Sequence, residues 1–252
     1  ADPSPAAAQK ADPEDRRSAM WLRVLHLTRA LAAVRPDHAD AIFAELRRDG
    51  AVVLRPPTAD PEPAGFRGLC DALALAPFDA SESAAVRRHV APGIVTSNEA
   101  PPHAPVPFHH EMAQCRSWPR YVLFFCATPP QRGGGTRVAP SDALARACRK
   151  RFPEACAALD RRGVRYVRTL PYEDDPASPI GRSWARALDV QSAGEVADAL
   201  ARRDLTGEWV GAGALRVTTR ARSVFRRFGD EPEVFFNSVV AAREGWRDAR
   251  NA

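Results

Sequence analysis

The sequence predicts an α+β or β-core fold in which helices come first and strands later. Two patterns lead to that reading. Apolar residues recur at helical spacing through much of the first 75 positions, and short β-branched or aromatic runs bounded by Gly and Pro become frequent after residue 160. No internal repeat is visible. At 252 residues and 45% hydrophobic composition the chain can bury a substantial core, while no run approaches the roughly 18 apolar residues of a membrane span.

The elements follow in order. Residues 1–17 are Ala, Pro and charge, which bury too little surface to fold alone and read as a flexible tail preceding one domain over 18–252. Trp21, Val24, Leu25, Leu31 and Ala32 have helical spacing before Pro36, predicting a helix over 18–34. Asp37 then caps a second helix carrying Ala41, Ile42, Phe43 and Leu46 and ending at Asp49-Gly50. The β-branched run Ala51 to Arg55 stops at Pro56-Pro57 and predicts a buried strand. A helix from Pro63 to Leu75 precedes a loop-rich stretch over 81–107 with a short strand near 93–96. Residues 119–128, PRYVLFFCAT, are the most hydrophobic segment and predict a central strand. Gly133 to Gly135 form a turn before Thr136-Arg137-Val138, and Ser141 caps a helix to about Ala147. A helix over 152–159, an alternating strand over 163–168, helices over 184–188 and 193–202, and strands near 208–210, 215–218 and 233–237 complete the reading.

Composition narrows the function classes. The formal charge is +5, but arginines are dispersed rather than gathered on one predicted face, which argues against nucleic acid as a partner. Cys70, Cys115, Cys126, Cys148 and Cys156 are odd in number and contain no C-x-x-C pair, so they suggest neither a zinc ribbon nor a closed disulfide framework. A soluble protein of a reducing compartment is expected, either cytoplasm or an organellar matrix or stroma.

Chemistry is concentrated in Pro107-Phe108-His109-His110-Glu111-Met112. On an extended strand residues i and i+2 point the same way, so His109 and Glu111 share one side and His110 takes the other. Imidazole and carboxylate at that spacing suit two ligands of a 2-His-1-carboxylate iron site. Standing alone, a motif this short more often marks a surface histidine or a satisfied one on a strand.

The surroundings give it a context. Thr96-Ser97-Asn98-Glu99-Ala100-Pro101-Pro102, PFHHEM, Pro119 with YVLFFC, and Gly133-Gly134-Gly135-Thr136 occur in an order that resembles the taurine dioxygenase and clavaminate synthase-like superfamily, in its H-x-E branch. Asp49 to Arg55, Gly163 to Tyr166, Trp184, Glu208-Trp209 and Phe235-Phe236-Asn237 extend the resemblance over about residues 40 to 240. It implies a double-stranded β-helix, or jelly-roll, core with flanking helices, and Fe(II) and 2-oxoglutarate as cofactors. It also implies His109 and Glu111 as metal ligands, Thr136 as a residue holding a 2-oxoglutarate carboxylate, and oxidation of a small or carrier-bound substrate. Asn98 is placed on the substrate side, with a turn role as the alternative, and His110 is read as structural or supporting.

The pattern is incomplete. The six histidines are His26, His38, His89, His103, His109 and His110, so the distal metal histidine that the resemblance implies is not found, and neither is its 2-oxoglutarate arginine. His38 sits in a predicted first helical turn, where i and i+2 diverge, whereas His89 and His103 lie in loops nearer in the chain. His103 is the preferred substitute, provided other groups fix its orientation. Two readings stay open: a segment whose last strands lie outside it, or an oxygenase fold kept without catalysis. The latter implies a structural or interaction role in a larger assembly, with partner subunits covering exposed sheet edges and the N-terminal tail.

Overall fold

The computed structural model describes residues 23–26, 34, 36–56, 62–78, 83, 87–97, 106–178 and 180–251. The chain divides into two compact units, 1–76 and 77–252. The predicted tail over 1–17 lies outside the described residues.

In the first unit, strand β1 (Arg23–His26) pairs in parallel with β2 (Val52–Arg55), with Val24 opposite Val53 and Leu25 opposite Leu54. Over 23–26 this corrects the helix expected across 18–34, because a short apolar stretch satisfies either period and pairing decides between them; most of the remaining span lies outside the described residues. Parallel strands require a long crossover. Helix α1 (Pro36–Asp49) supplies it, burying Ile42 and carrying Arg47 and Arg48 in its last turn, where cations complement the helix dipole. Gly50 takes the left-handed conformation (φ 77°), and its N–H donates to Leu46 O at 2.8 Å, ending the helix as the Asp49-Gly50 pair predicts. Helix α2 (Pro63–Ala72) starts with proline where no N–H is needed, and buries Gly65, Phe66 and Leu69.

The second unit opens with a small hairpin of β3 (His89–Ala91) and β4 (Ile94–Val95). Helices α3 (Ser141–Arg151) and α4 (Pro153–Arg162) follow, bringing Ala145 and Cys156 against Val224 and Phe225. Its main sheet has the order β5-β7-β6, all antiparallel: β5 (Val167–Leu170), β6 (Leu205–Val210) and β7 (Ala214–Thr219). Leu170 faces Leu215, and Arg168 faces Val217. Helices α5 (Trp184–Leu188) and α6 (Val196–Arg202) cover one face, so that Trp184, Ala187, Leu188, Val196, Ala199 and Leu200 pack on Leu170, Leu215 and Val217. A second small pair, β8 (Phe225–Arg226) with β9 (Val234–Phe235), and helix α7 (Val239–Glu244) complete the unit.

Mixed helix and sheet is therefore observed, in keeping with α+β. The described strands form separate small sheets rather than a clear jelly-roll. Residues 121–126 differ most from expectation. They pair in no ladder, and Val122 and Phe124 are 50% and 63% exposed. A strand needs a neighbour to satisfy its backbone, and no other described segment lies alongside to pair with this one.

The last residues fasten to the main sheet. Asn251 accepts from Thr169 N–H at 2.6 Å and donates to Thr169 O at 3.3 Å. Asp248 accepts from Ser178 Oγ at 2.7 Å and from Asn251 Nδ2 and Arg250 N at 2.9 Å. Burial raises the Asp248 pKa, but these hydrogen bonds and the Arg250 charge outweigh it and hold the carboxyl below its usual range. A depressed folded value gives stability that is full above the unfolded pKa of about 3.9 and is lost as pH falls through the folded value. Urea unfolding at neutral and acid pH should therefore show a smaller acid loss for Asp248→Asn than for the parent. Equal losses would mean that this fastening contributes nothing to acid sensitivity.

Candidate metal centre

Residues 106–110 are extended but unpaired, and Glu111–Gln114 turn sharply, with Met112 at φ 57°. The strand expected at the His-x-Glu motif is thus an extended segment entering a turn. The turn is anchored by its apolar side, since Met112, Ala113 and Cys115 are buried. His110 points inward. Its ring lies 4.7 Å from that of Phe236 and its Nε2 is 2.7 Å from Ser141 Oγ, while its N–H donates to Asn237 O at 3.1 Å. Ser238 Oγ donates to His110 O at 3.0 Å, strapping the motif to residues 237–238. Burial pushes the His110 imidazole below its ordinary range and favours the neutral ring. Ser141, expected as a helix cap, is instead the first residue of α3 and makes no cap hydrogen bond. Its hydroxyl is engaged with His110.

His109 and Glu111 lie together on the other side. His109 Nδ1 is 2.8 Å from Pro107 O. A carbonyl only accepts, so Nδ1 carries a proton, and in the neutral ring Nε2 presents a lone pair. That nitrogen is 3.9 Å from Glu111 Oε2. The other carboxylate oxygen, Oε1, accepts from Arg87 Nη2 at 3.2 Å. Arg87 is held in turn by donating to Thr96 O at 3.4 Å, and its side chain and that of Glu111 are largely buried. The carboxylate is divided between an arginine that orients it and an oxygen facing the imidazole.

These two residues fit one divalent ion. Nitrogen and carboxylate oxygen ligands lie about 2.0–2.2 Å from a first-row metal such as zinc, which places adjacent ligand atoms roughly 3 Å apart, so His109 Nε2 and Glu111 Oε2, 3.9 Å apart, share one ion after a small closing movement of the side chains. Neutral imidazole with carboxylate is also a donor set that suits Fe(II). Among the described residues, no group of three or more His, Cys, Asp or Glu side chains forms.

The remaining candidates are placed differently. Thr136 lies in the irregular stretch 133–140, exposed, and its hydroxyl has no hydrogen-bond partner among the described residues. His89 is exposed in β3, and His38 lies in α1 of the first unit. Asn98 and His103 lie outside the described residues. Sequence reasoning missed Arg87 and Pro107. Arg87 meets Glu111 across 24 positions, a separation that no local spacing rule reads, and Pro107 contributes only a backbone carbonyl.

Arg87→Met should weaken divalent-metal binding about 10- to 100-fold by releasing the carboxylate it orients. Competition with a fluorescent chelator measures this, and an unchanged affinity would remove Arg87 from the site.

Comparison with known proteins adds the lineage. The family described as taurine catabolism dioxygenase TauD, TfdA matches residues 25–237. The chain belongs to this family. A clavaminate synthase-like protein of Arabidopsis thaliana is 33% identical over 187 residues, covering 74% of this chain and 57% of that protein. The chain thus spans a little over half the length of this relative. His109, Glu111, Arg87 and Thr136 all fall within the TauD, TfdA match.

Proposed function

We propose that this chain carries the iron-binding half-site of an Fe(II)- and 2-oxoglutarate-dependent oxygenase acting on a small or carrier-bound substrate. The observation that carries the reading is the pairing of His109 Nε2 with Glu111 Oε2 at 3.9 Å, within a TauD-family match. His109 would bind iron through Nε2, kept available by the Nδ1–H bond to Pro107. Glu111 would bind through Oε2 while Arg87 holds Oε1. Bound there, iron with 2-oxoglutarate supplies dioxygen activation and removal of a substrate hydrogen.

The chain's own residues would prepare that chemistry. The Pro107 carbonyl holds Nδ1 of His109 as the donor, which leaves Nε2 as the nitrogen facing the metal position. The buried turn at Met112, Ala113 and Cys115 keeps the two ligand atoms on a rigid base. In this reading Thr136 assists at a 2-oxoglutarate carboxylate and Asn98 faces the substrate.

Anaerobic Fe(II) titration of the protein, compared with its His109→Ala/Glu111→Ala variant, tests the proposal. Fe(II) held no more tightly by the parent than by the variant would end it. Oxygen uptake that requires both Fe(II) and 2-oxoglutarate would extend the support from binding to turnover.

A further inference from the structure

The helix-covered face of the main sheet holds a charge where its pattern calls for an apolar residue. Tyr166, Arg168 and Leu170 alternate on that face, beside Thr219, Val217 and Leu215 of β7. Arg168 therefore projects toward the layer occupied by Ala187 and Leu188 of α5. Its guanidinium makes no hydrogen bond or ion pair with any described residue. Burial pushes its pKa down to about 10, with smaller opposing effects from Cys115 and Arg182, so it remains a cation at neutral pH.

Arg168 lines a cavity of about 50 Å³. A single water needs only about 10–15 Å³ by a comparable measure, so the space admits a group several atoms in size. Arg203 also lines it, with Nη1 donating to Ala199 O at 3.3 Å. The polar remainder is Gln114, Tyr166 and Thr219, and no Asp or Glu is among the lining residues. Two guanidinium groups, one of them without a side-chain partner among the described residues, thus share a partly open pocket whose described lining carries no carboxylate. Arg168 is half-buried; a cation partly withdrawn from water gains from a partner, and a guanidinium fork matches the two oxygens of a planar oxyanion.

We infer that the cavity between the main sheet and α5 is a binding site for a small oxyanion, either a free ion or the carboxylate or phosphate end of a small molecule, with Arg168 as its principal ligand. The site does not depend on the iron reading. Its residues are separate from His109 and Glu111, and its ligand needs no metal.

Calorimetric titration of the protein with acetate and with inorganic phosphate, at constant ionic strength and with EDTA present, tests it. Saturable binding of at least one anion is expected, and the acetate and phosphate arms show which chemistry the cavity prefers. Arg168→Met should weaken that binding about tenfold or more, the loss expected for one charge-assisted hydrogen bond. Arg168→Lys, which keeps the charge but not the fork, should fall between. For the unmodified protein, proton NMR should show contacts from bound acetate to the Tyr166 or Trp246 ring, both of which line the cavity. Binding of neither anion, equal binding by Arg168→Met, or bound acetate without those ring contacts would overturn the assignment. The ring contacts decide the matter if Arg168→Met fails to fold.

Discussion

The His109→Ala/Glu111→Ala variant is expected to bind Fe(II) more than about 100-fold less tightly than the parent. Losing a group that merely orients a ligand costs up to that factor, and here both ligand atoms go. Fold should survive the change, because the buried side of the motif is carried by His110, Met112, Ala113 and Cys115. The principal structural cost is an Arg87 that loses its carboxylate partner. Glu111→Gln is the sharper companion, since it keeps the volume and removes the charge, and it should lose most of the same affinity. Chelator competition with circular dichroism on each variant separates lost ligands from lost structure. A double variant that stays folded and binds Fe(II) as the parent does would leave the half-site without a metal role.

Leu215→Ala should produce the largest loss of stability. Leu215 is 1% exposed, sits opposite Leu170 and contacts the layer formed by α5 and α6. Removing its branched end forfeits apolar transfer and leaves a void, which in well-packed cores costs about 2–5 kcal/mol. For a chain of this size that corresponds to a fall in Tm on the order of 10 °C. Thermal unfolding followed by circular dichroism gives the answer. A change smaller than about 1 kcal/mol would show that the sheet and its helices are not packed as closely as their register indicates.

The sequence was most informative where a local rule acts alone. Pro63 and Pro153 open helices, Gly50 closes one, and the strands expected near 208–210 and 215–218 form, extended to 205–210 and 214–219. It was least informative where pairing decides. Val24 and Leu25 fit a helix until β2 lies beside them, and the apolar run over 121–126 signals burial but does not specify a neighbour. Strand β8 and helix α7 carried no strong signal. At the site, i and i+2 alternation foretold that His109 and Glu111 would share a side, although the supporting element is a turn. Arg87 and the Pro107 carbonyl could not be read the same way, because tertiary placement brings the first and a backbone atom supplies the second.

The double hydrogen bond between Asn251 and Thr169 has a further consequence. Strand β5 lies at one side of the three-stranded order, with β7 on its other flank. Thr169 offers outward the amide and carbonyl that another polypeptide would use to extend the sheet. The Asn251 carboxamide occupies both, accepting from one and donating to the other. A single side chain therefore acts as a counterfeit peptide unit, and an incoming chain meets a position already taken.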